Sequence, residues 1–93
     1  MREYQEMQTP NNASRVRFVL CDPSLPANIG AAARAIKTMG FRDLWVVNPK
    51  HPDYREHPDA IALSTSSVDV LRESHSVATL TEALNGVTFA WAL

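Results

Sequence analysis

The chain has 93 residues, 45% hydrophobic and 20% charged, with a formal net charge of −1. That length holds one small domain, and the balance excludes a chain disordered throughout. The lack of a basic surplus excludes gripping nucleic acid by bulk charge, so any RNA contact has to be local.

Residues 1–14 are polar and contain Pro10-Asn11-Asn12, which predicts a flexible N-terminal arm ahead of a single folded unit over 15–93. Val16-Arg17-Phe18-Val19-Leu20-Cys21 is β-rich and stops at Asp22-Pro23, a strand followed by a turn. The loop over 22–27 holds two prolines and is stiff. Asn28 is placed as an N-cap. An alanine-rich helix runs from Ile29 to Met39, with Gly40 as the residue that ends it. Ile29, Ala32, Ala33, Ile36 and Met39 recur at helical spacing and predict its apolar stripe. Leu44-Trp45-Val46-Val47-Asn48 is a second buried strand, ended by Pro49. Strand, helix and strand make a right-handed βαβ unit with parallel strands.

Residues 50–58 form a loop with two histidines and two prolines. Residues 59–64 predict a short helix, 68–72 another helical turn, and 76–78 a short strand. Residues 79–85 predict a helix with Thr79 and Glu82 as a capping box and Gly86 after its end. Residues 87–93 predict a third substantial strand. Ala90-Trp91-Ala92-Leu93 carries no turn or cap after it, so a fragment of a longer α/β domain is expected.

In open α/β sheets ligands bind beyond the carboxyl ends of the strands, where residues 22–28 lie. They lead into a helix start whose free N–H groups favour anions. Gly30 lacks a Cβ and offers close approach to a ribose, a phosphate or a neighbouring backbone. Arg34 follows four residues later on the same side, and its planar guanidinium suits a pair of phosphate oxygens. Asn28, Gly30 and Arg34 are therefore candidates for a phosphodiester cradle. Helix packing at Gly30 and a solvated Arg34 are the competing explanations.

The string Pro26-Ala27-Asn28-Ile29-Gly30-Ala31-Ala32-Ala33-Arg34-Ala35-Ile36-Lys37-Thr38-Met39-Gly40-Phe41, followed by Leu44-Trp45-Val46-Val47-Asn48-Pro49, resembles the first motif and second strand of the SpoU/TrmH (SPOUT) family of RNA 2′-O-methyltransferases. Asp59-Ala60-Ile61-Ala62-Leu63 and Ser67-Val68-Asp69-Val70-Leu71 also resemble its TrmJ-like group. The resemblance runs from about Arg15 to Leu93. It implies the parallel-sheet, Rossmann-like half of an α/β-knot domain, with the knot expected beyond Leu93. It implies transfer of a methyl group from S-adenosylmethionine to a ribose 2′-hydroxyl of RNA, tRNA first and rRNA next, by a cytoplasmic homodimer. The donor site is expected beyond Leu93, so this chain alone is expected to be inactive. Arg34 takes the catalytic role, Asn28 orients it or the ribose, and Gly30 joins them in substrate binding. A guanidinium is a poor base, so positioning a phosphate and stabilising the alkoxide is the expected work of Arg34. Ser64-Thr65-Ser66-Ser67 departs from the Ala-Gly pair common there, which leaves its substrate contacts open.

Cys21 is expected to be a buried structural thiol and cannot form an intrachain disulfide. His51 and His57 match no metal spacing, and no metal is expected. No apolar run reaches the ~20 residues of a membrane span, and residues 1–6 lack the apolar region of a secretory signal. Trp45 and Trp91 are expected in the core and His75 on the surface. Lys37, Arg42, Lys50 and Arg55 are candidates for an RNA path, with solvated charge the equal or better explanation. Two other functions stay open: a non-catalytic RNA-binding or dimerisation module of the same fold, and a generic nucleotide-binding domain using the Asn28 helix start.

Overall fold

The computed structural model describes residues 16–86 and the backbone of 89–92. The expected N-terminal arm lies outside the described residues. Strand β1 is Val16–Cys21, helix α1 Pro26–Thr38, β2 Asp43–Val47, α2 Pro58–Ser64, α3 Val68–Glu73, β3 His75–Val77, α4 Leu80–Leu84 and β4 Phe89–Ala92. Two 3₁₀ turns, Tyr54–Glu56 and Thr65–Ser67, precede α2 and α3. The four strands form one sheet in the order β3-β2-β1-β4, every pair parallel. Phe18 pairs with Leu44 and Trp91, and Trp45 pairs with His75.

The expected α/β architecture is present, and the strands alternate as a sheet with two faces should. Val16, Phe18, Leu44 and Val46 point to one face. There they join Ile29, Ala33 and Ile36 of α1, Ala60 of α2, Val70 and Leu71 of α3, and Tyr54 in the main core. Val19 and Val47 point to the other, where among the described residues Ala83 of α4 completes a small cluster, edged by Trp45 and Val77.

Tyr54, in a segment that reads as a polar loop, is fully buried. Its hydroxyl lies 2.8 Å from the Ser74 Oγ, which in turn donates to the Leu71 carbonyl at 2.6 Å. Burial pushes the Tyr54 phenol above its ordinary value, with the Ser74 contact opposing. Pairing each hydroxyl is what makes burial of this polar group tolerable.

Two helix boundaries differ from the sequence expectation. Helix α1 begins at Pro26, with Leu25 as N-cap and no side-chain cap. Proline is suited to the first helical position because its missing N–H needs no partner there. Asn28 therefore lies inside the first turn and is not the cap. At the other end Met39 is the C-cap and 55% exposed, so it leaves the apolar stripe. Gly40 follows at φ 92°, the left-handed residue expected after the helix. The capping box at α4 is formed: the Thr79 Oγ1 accepts from the Glu82 N–H at 3.2 Å, and Glu82 accepts from the Thr79 N–H at 3.0 Å.

Candidate active site

The strand order sets where a ligand should lie. Strands β2 and β4 flank β1, so the chain's crossovers run in opposite directions from β1, and the carboxyl end of that strand is where a ligand crevice is expected. Its rim is stitched together. The Asp22 N–H donates to the Val47 carbonyl at 2.8 Å, and the Asn48 Nδ2 donates to the Asp22 Oδ1 at 3.0 Å. The Lys50 N–H donates to the Pro23 carbonyl at 3.1 Å. Asp22 and Asn48 hold φ 52° and 50°, a conformation that short polar side chains tolerate better than most. Cys21 ends β1 at this rim and is exposed, a correction to the buried thiol expected from its apolar neighbours.

Helix α1 leaves the rim with two different sides. Ile29, Gly30, Ala33 and Ile36 are buried. Asn28, Ala31, Arg34, Ala35 and Thr38 are exposed. A Cβ on Gly30 would run into the Ala60 carbonyl oxygen of α2 and stand 2.8 Å from its carbon. The space opened by the missing side chain is thus filled by a neighbouring helix. Gly30 thus serves close helix packing, one of the two explanations open for its missing Cβ.

Arg34 lies eight residues past Pro26, roughly 12 Å along the axis, and is offset from Gly30 by roughly 40°. That rotation carries it out of the helix contact onto an open hollow lined by Ala31, Arg34, Ala35, Thr38, Met39 and Leu63. Leu63 is 44% exposed, so the guanidinium stands among apolar groups that solvent reaches. No other described residue pairs with the Arg34 side chain. Asn28 is six residues away, roughly 9 Å along the helix and a third of a turn around it. Asn28, Gly30 and Arg34 therefore do not converge on one point of this chain.

The other expected cations divide sharply. The Lys37 Nζ donates to both Asp69 carboxylate oxygens at 3.1 Å and to the Ser66 carbonyl at 3.1 Å. Arg42 donates to Asp69 and Glu73, each at 3.0 Å. The Lys37 hydrogen bond, with help from Arg42, holds the Asp69 carboxyl down to about 2, and Glu73 then Asp69 raise the Arg42 guanidinium above its ordinary value. Arg55 donates twice to the Ser74 carbonyl, at 3.0 and 2.7 Å, and lies over the Tyr54 ring. Of the four residues proposed for an RNA path, three are committed inside the protein. Lys50 is exposed at the crevice rim, with its side chain unpaired among the described residues.

Sequence reasoning also passed over Arg17. It donates to Asp43 at 3.0 Å and to the Ala83 carbonyl at 2.8 Å, with its guanidinium 4.0 Å above the Trp45 ring. His75 stacks on Trp45 with centroids 4.4 Å apart. Half-buried Trp45 is thus flanked by Arg17 and His75, which leaves it poorly placed to receive a base. Its alternation with Asp43 and Val47 was the sequence signal for this face. The Trp91 side chain lies outside the described residues. His51 and His57 rings approach to 6.1 Å, and His57 accepts from the Asp59 N–H at 3.1 Å as a helix cap. Among the described residues no three His, Cys, Asp or Glu gather as a metal site, and no helix is long and apolar enough to cross a membrane.

Comparison with known proteins places these features. Residues 15–93 match the SpoU rRNA Methylase family. Over 72 residues the chain is 47% identical to the tRNA (cytidine/uridine-2′-O-)-methyltransferase TrmJ of Escherichia coli K12, covering 76% of this chain and 28% of that protein. A probable methyltransferase from Bordetella pertussis Tohama I has 51% identity and a TM-score of 0.79, over 82% of this chain and 46% of its own. TrmJ from Z. mobilis ZM4 has 34% identity and a TM-score of 0.66, over 73% of this chain and 30% of its own. The chain thus spans about 28% of the length of the curated relatives it matches. The chain belongs to the SpoU methylase family, and the resemblance read in its first motif holds.

Proposed function

From that membership as premise, we propose that the protein is an S-adenosylmethionine-dependent tRNA ribose 2′-O-methyltransferase in which Arg34 is the catalytic residue of this chain. One observation carries the assignment. Within the family segment, Arg34 presents an exposed guanidinium with no carboxylate partner among the described residues, beside an open hollow. Lys37 and Arg42, on and just beyond the same helix, are each bound to carboxylates.

A guanidinium donates hydrogen bonds and accepts none. Arg34 therefore orients a phosphate through paired N–H groups and stabilises the alkoxide that develops on the ribose oxygen as its proton departs. It does not itself take that proton, which passes to water as the ribose oxygen takes up the methyl group. Surrounding alanines, Met39 and Leu63 lower the local dielectric once covered, which strengthens this interaction. Asn28, exposed in the first turn of α1, meets the nucleic acid nearer the crevice rim and contributes substrate binding beyond the reach of Arg34.

S-adenosylmethionine supplies the electrophilic methyl group. The described residues offer an open hollow and a polar rim, neither of which encloses an adenosine. We place the donor site in the part of the family domain outside this chain, and expect the chain alone to transfer nothing. Exposed Met39 and Leu63 around Arg34 support a second copy packing over this surface, giving a homodimer whose site is shared. A tRNA substrate supports a cytoplasmic enzyme. The test is incubation of the whole protein with donor and unmodified tRNA, followed by alkaline hydrolysis. A single bond newly resistant to hydrolysis is expected. Donor-dependent methylation confined to bases would overturn the assignment.

A further inference from the structure

Thr65 has φ 46° and ψ −114°, a region open to glycine and costly for a β-branched residue. The residue is exposed, so burial offsets none of that cost; its Oγ1 donates to the Ser64 carbonyl at 2.8 Å, a local bond that offsets part of it. The strain is imposed by its neighbours. Ser64 is fully buried and donates to the Ile61 carbonyl at 2.8 Å, while Ser67 is 3% exposed. The Ser66 carbonyl accepts from the Lys37 Nζ at 3.1 Å.

These anchors hold the turn that carries Thr65 against the Arg34 stretch of α1. Leu63, two residues before it, lines the hollow that holds Arg34. Ser66, the next residue, is tied to Lys37, one helical turn beyond Arg34. The turn thus touches α1 on both sides of the position where Thr65 projects to solvent. A glycine would relieve the backbone at no steric cost, yet this exposed position keeps a hydroxyl and a methyl.

We propose that Thr65 is a substrate-positioning residue: the strained turn holds its side chain, with Leu63, as the wall opposite α1 that orients the RNA ribose-phosphate over Arg34. The inference rests on the methyltransferase assignment above. Strain retained at a substrate wall is consistent with preorganisation, since a small misplacement of reacting groups costs rate more than affinity.

The whole protein carrying Thr65→Gly or Thr65→Ser is compared with wild type by thermal melting, tRNA binding and single-turnover methyl transfer. Thr65→Gly is expected to melt several degrees higher. Its transfer rate at saturating tRNA is expected to fall about tenfold, with tRNA affinity changed by less than about threefold. Thr65→Ser, which keeps the hydroxyl, is expected to retain the wild-type rate within about threefold. A Thr65→Gly enzyme that is more stable and equally fast overturns this inference alone, as does one that melts no higher than wild type. A wild-type protein that methylates no ribose overturns the assignment and this inference together.

Discussion

On the inner side of α1, Ile29, Gly30, Ala33 and Ile36 are buried against the sheet and α2. On its outer side, Asn28, Ala31, Arg34, Ala35 and Thr38 face solvent. The two sides share one run of small residues, and the same alanine-rich composition serves them differently. Inside, small side chains let α2 approach until its Ala60 carbonyl fills the place of a Cβ. Outside, they leave Arg34 standing clear on a shallow surface. Small residues at a helix do not by themselves identify a ligand site. What distinguishes the sides is which one leaves a charged group without a partner among the described residues.

Substitutions on the inner side are expected to lower stability and leave the rate per folded molecule intact. Ile36→Ala, in the main core, is expected to cost about 2–5 kcal/mol, read from denaturant unfolding of the whole protein. A loss under about 1 kcal/mol would break the comparison, since it falls within the range of exposed positions. Gly30→Ala is expected to cost about 1–3 kcal/mol, because the collision is with backbone and α2 must shift. Wild-type stability with altered tRNA affinity would instead return Gly30 to the substrate surface.

Smaller effects sharpen the edge between the sides. Asp69 ties α3 to Lys37 and Arg42, with its carboxyl held from an ordinary 3.8 down to about 2, chiefly by Lys37. A carboxyl lowered on folding adds stability above its unfolded value and loses it as pH falls through the folded one. Stability is therefore expected to decline between about pH 4 and pH 2, and Asp69→Asn to flatten that decline. Identical acid limbs in the two proteins would show the network contributes nothing. Smallest of all, Ala35→Ser on the outer side is expected to change stability by less than about 0.5 kcal/mol in the same unfolding measurement.

Much of this fold was legible because the signals are local. Alternation in Val16-Arg17-Phe18-Val19 and in Leu44-Trp45-Val46 separates the sheet's faces before any coordinates, and Thr79 with Glu82 announces its own helix start. Tyr54 was not legible. Its neighbours are charged or proline, and its burial depends on Ser74, 20 residues away. Gly30 was ambiguous for a related reason: a ribose and a second helix demand the same missing Cβ, and the nearness of Ala60 is not written in the local sequence. Asn28 was misplaced because Pro26 starts α1 a turn earlier than a side-chain cap suggests. Lys37, Arg42 and Arg55 read as free charge because their partners come from α3 and the Ser74 segment. Arg34 was singled out by its motif, and it is exposed with no partner among the described residues.

Single-turnover methyl transfer by the whole protein carrying Arg34→Ala, measured beside donor binding and thermal melting, tests the outer side most directly. Transfer is expected to fall about 10²–10³-fold, as for loss of one oxyanion-stabilising donor. Donor affinity and melting temperature are expected to stay at wild-type values, since Arg34 is exposed and pairs with no other described residue. A variant that transfers methyl groups at the wild-type rate would contradict the catalytic role of Arg34.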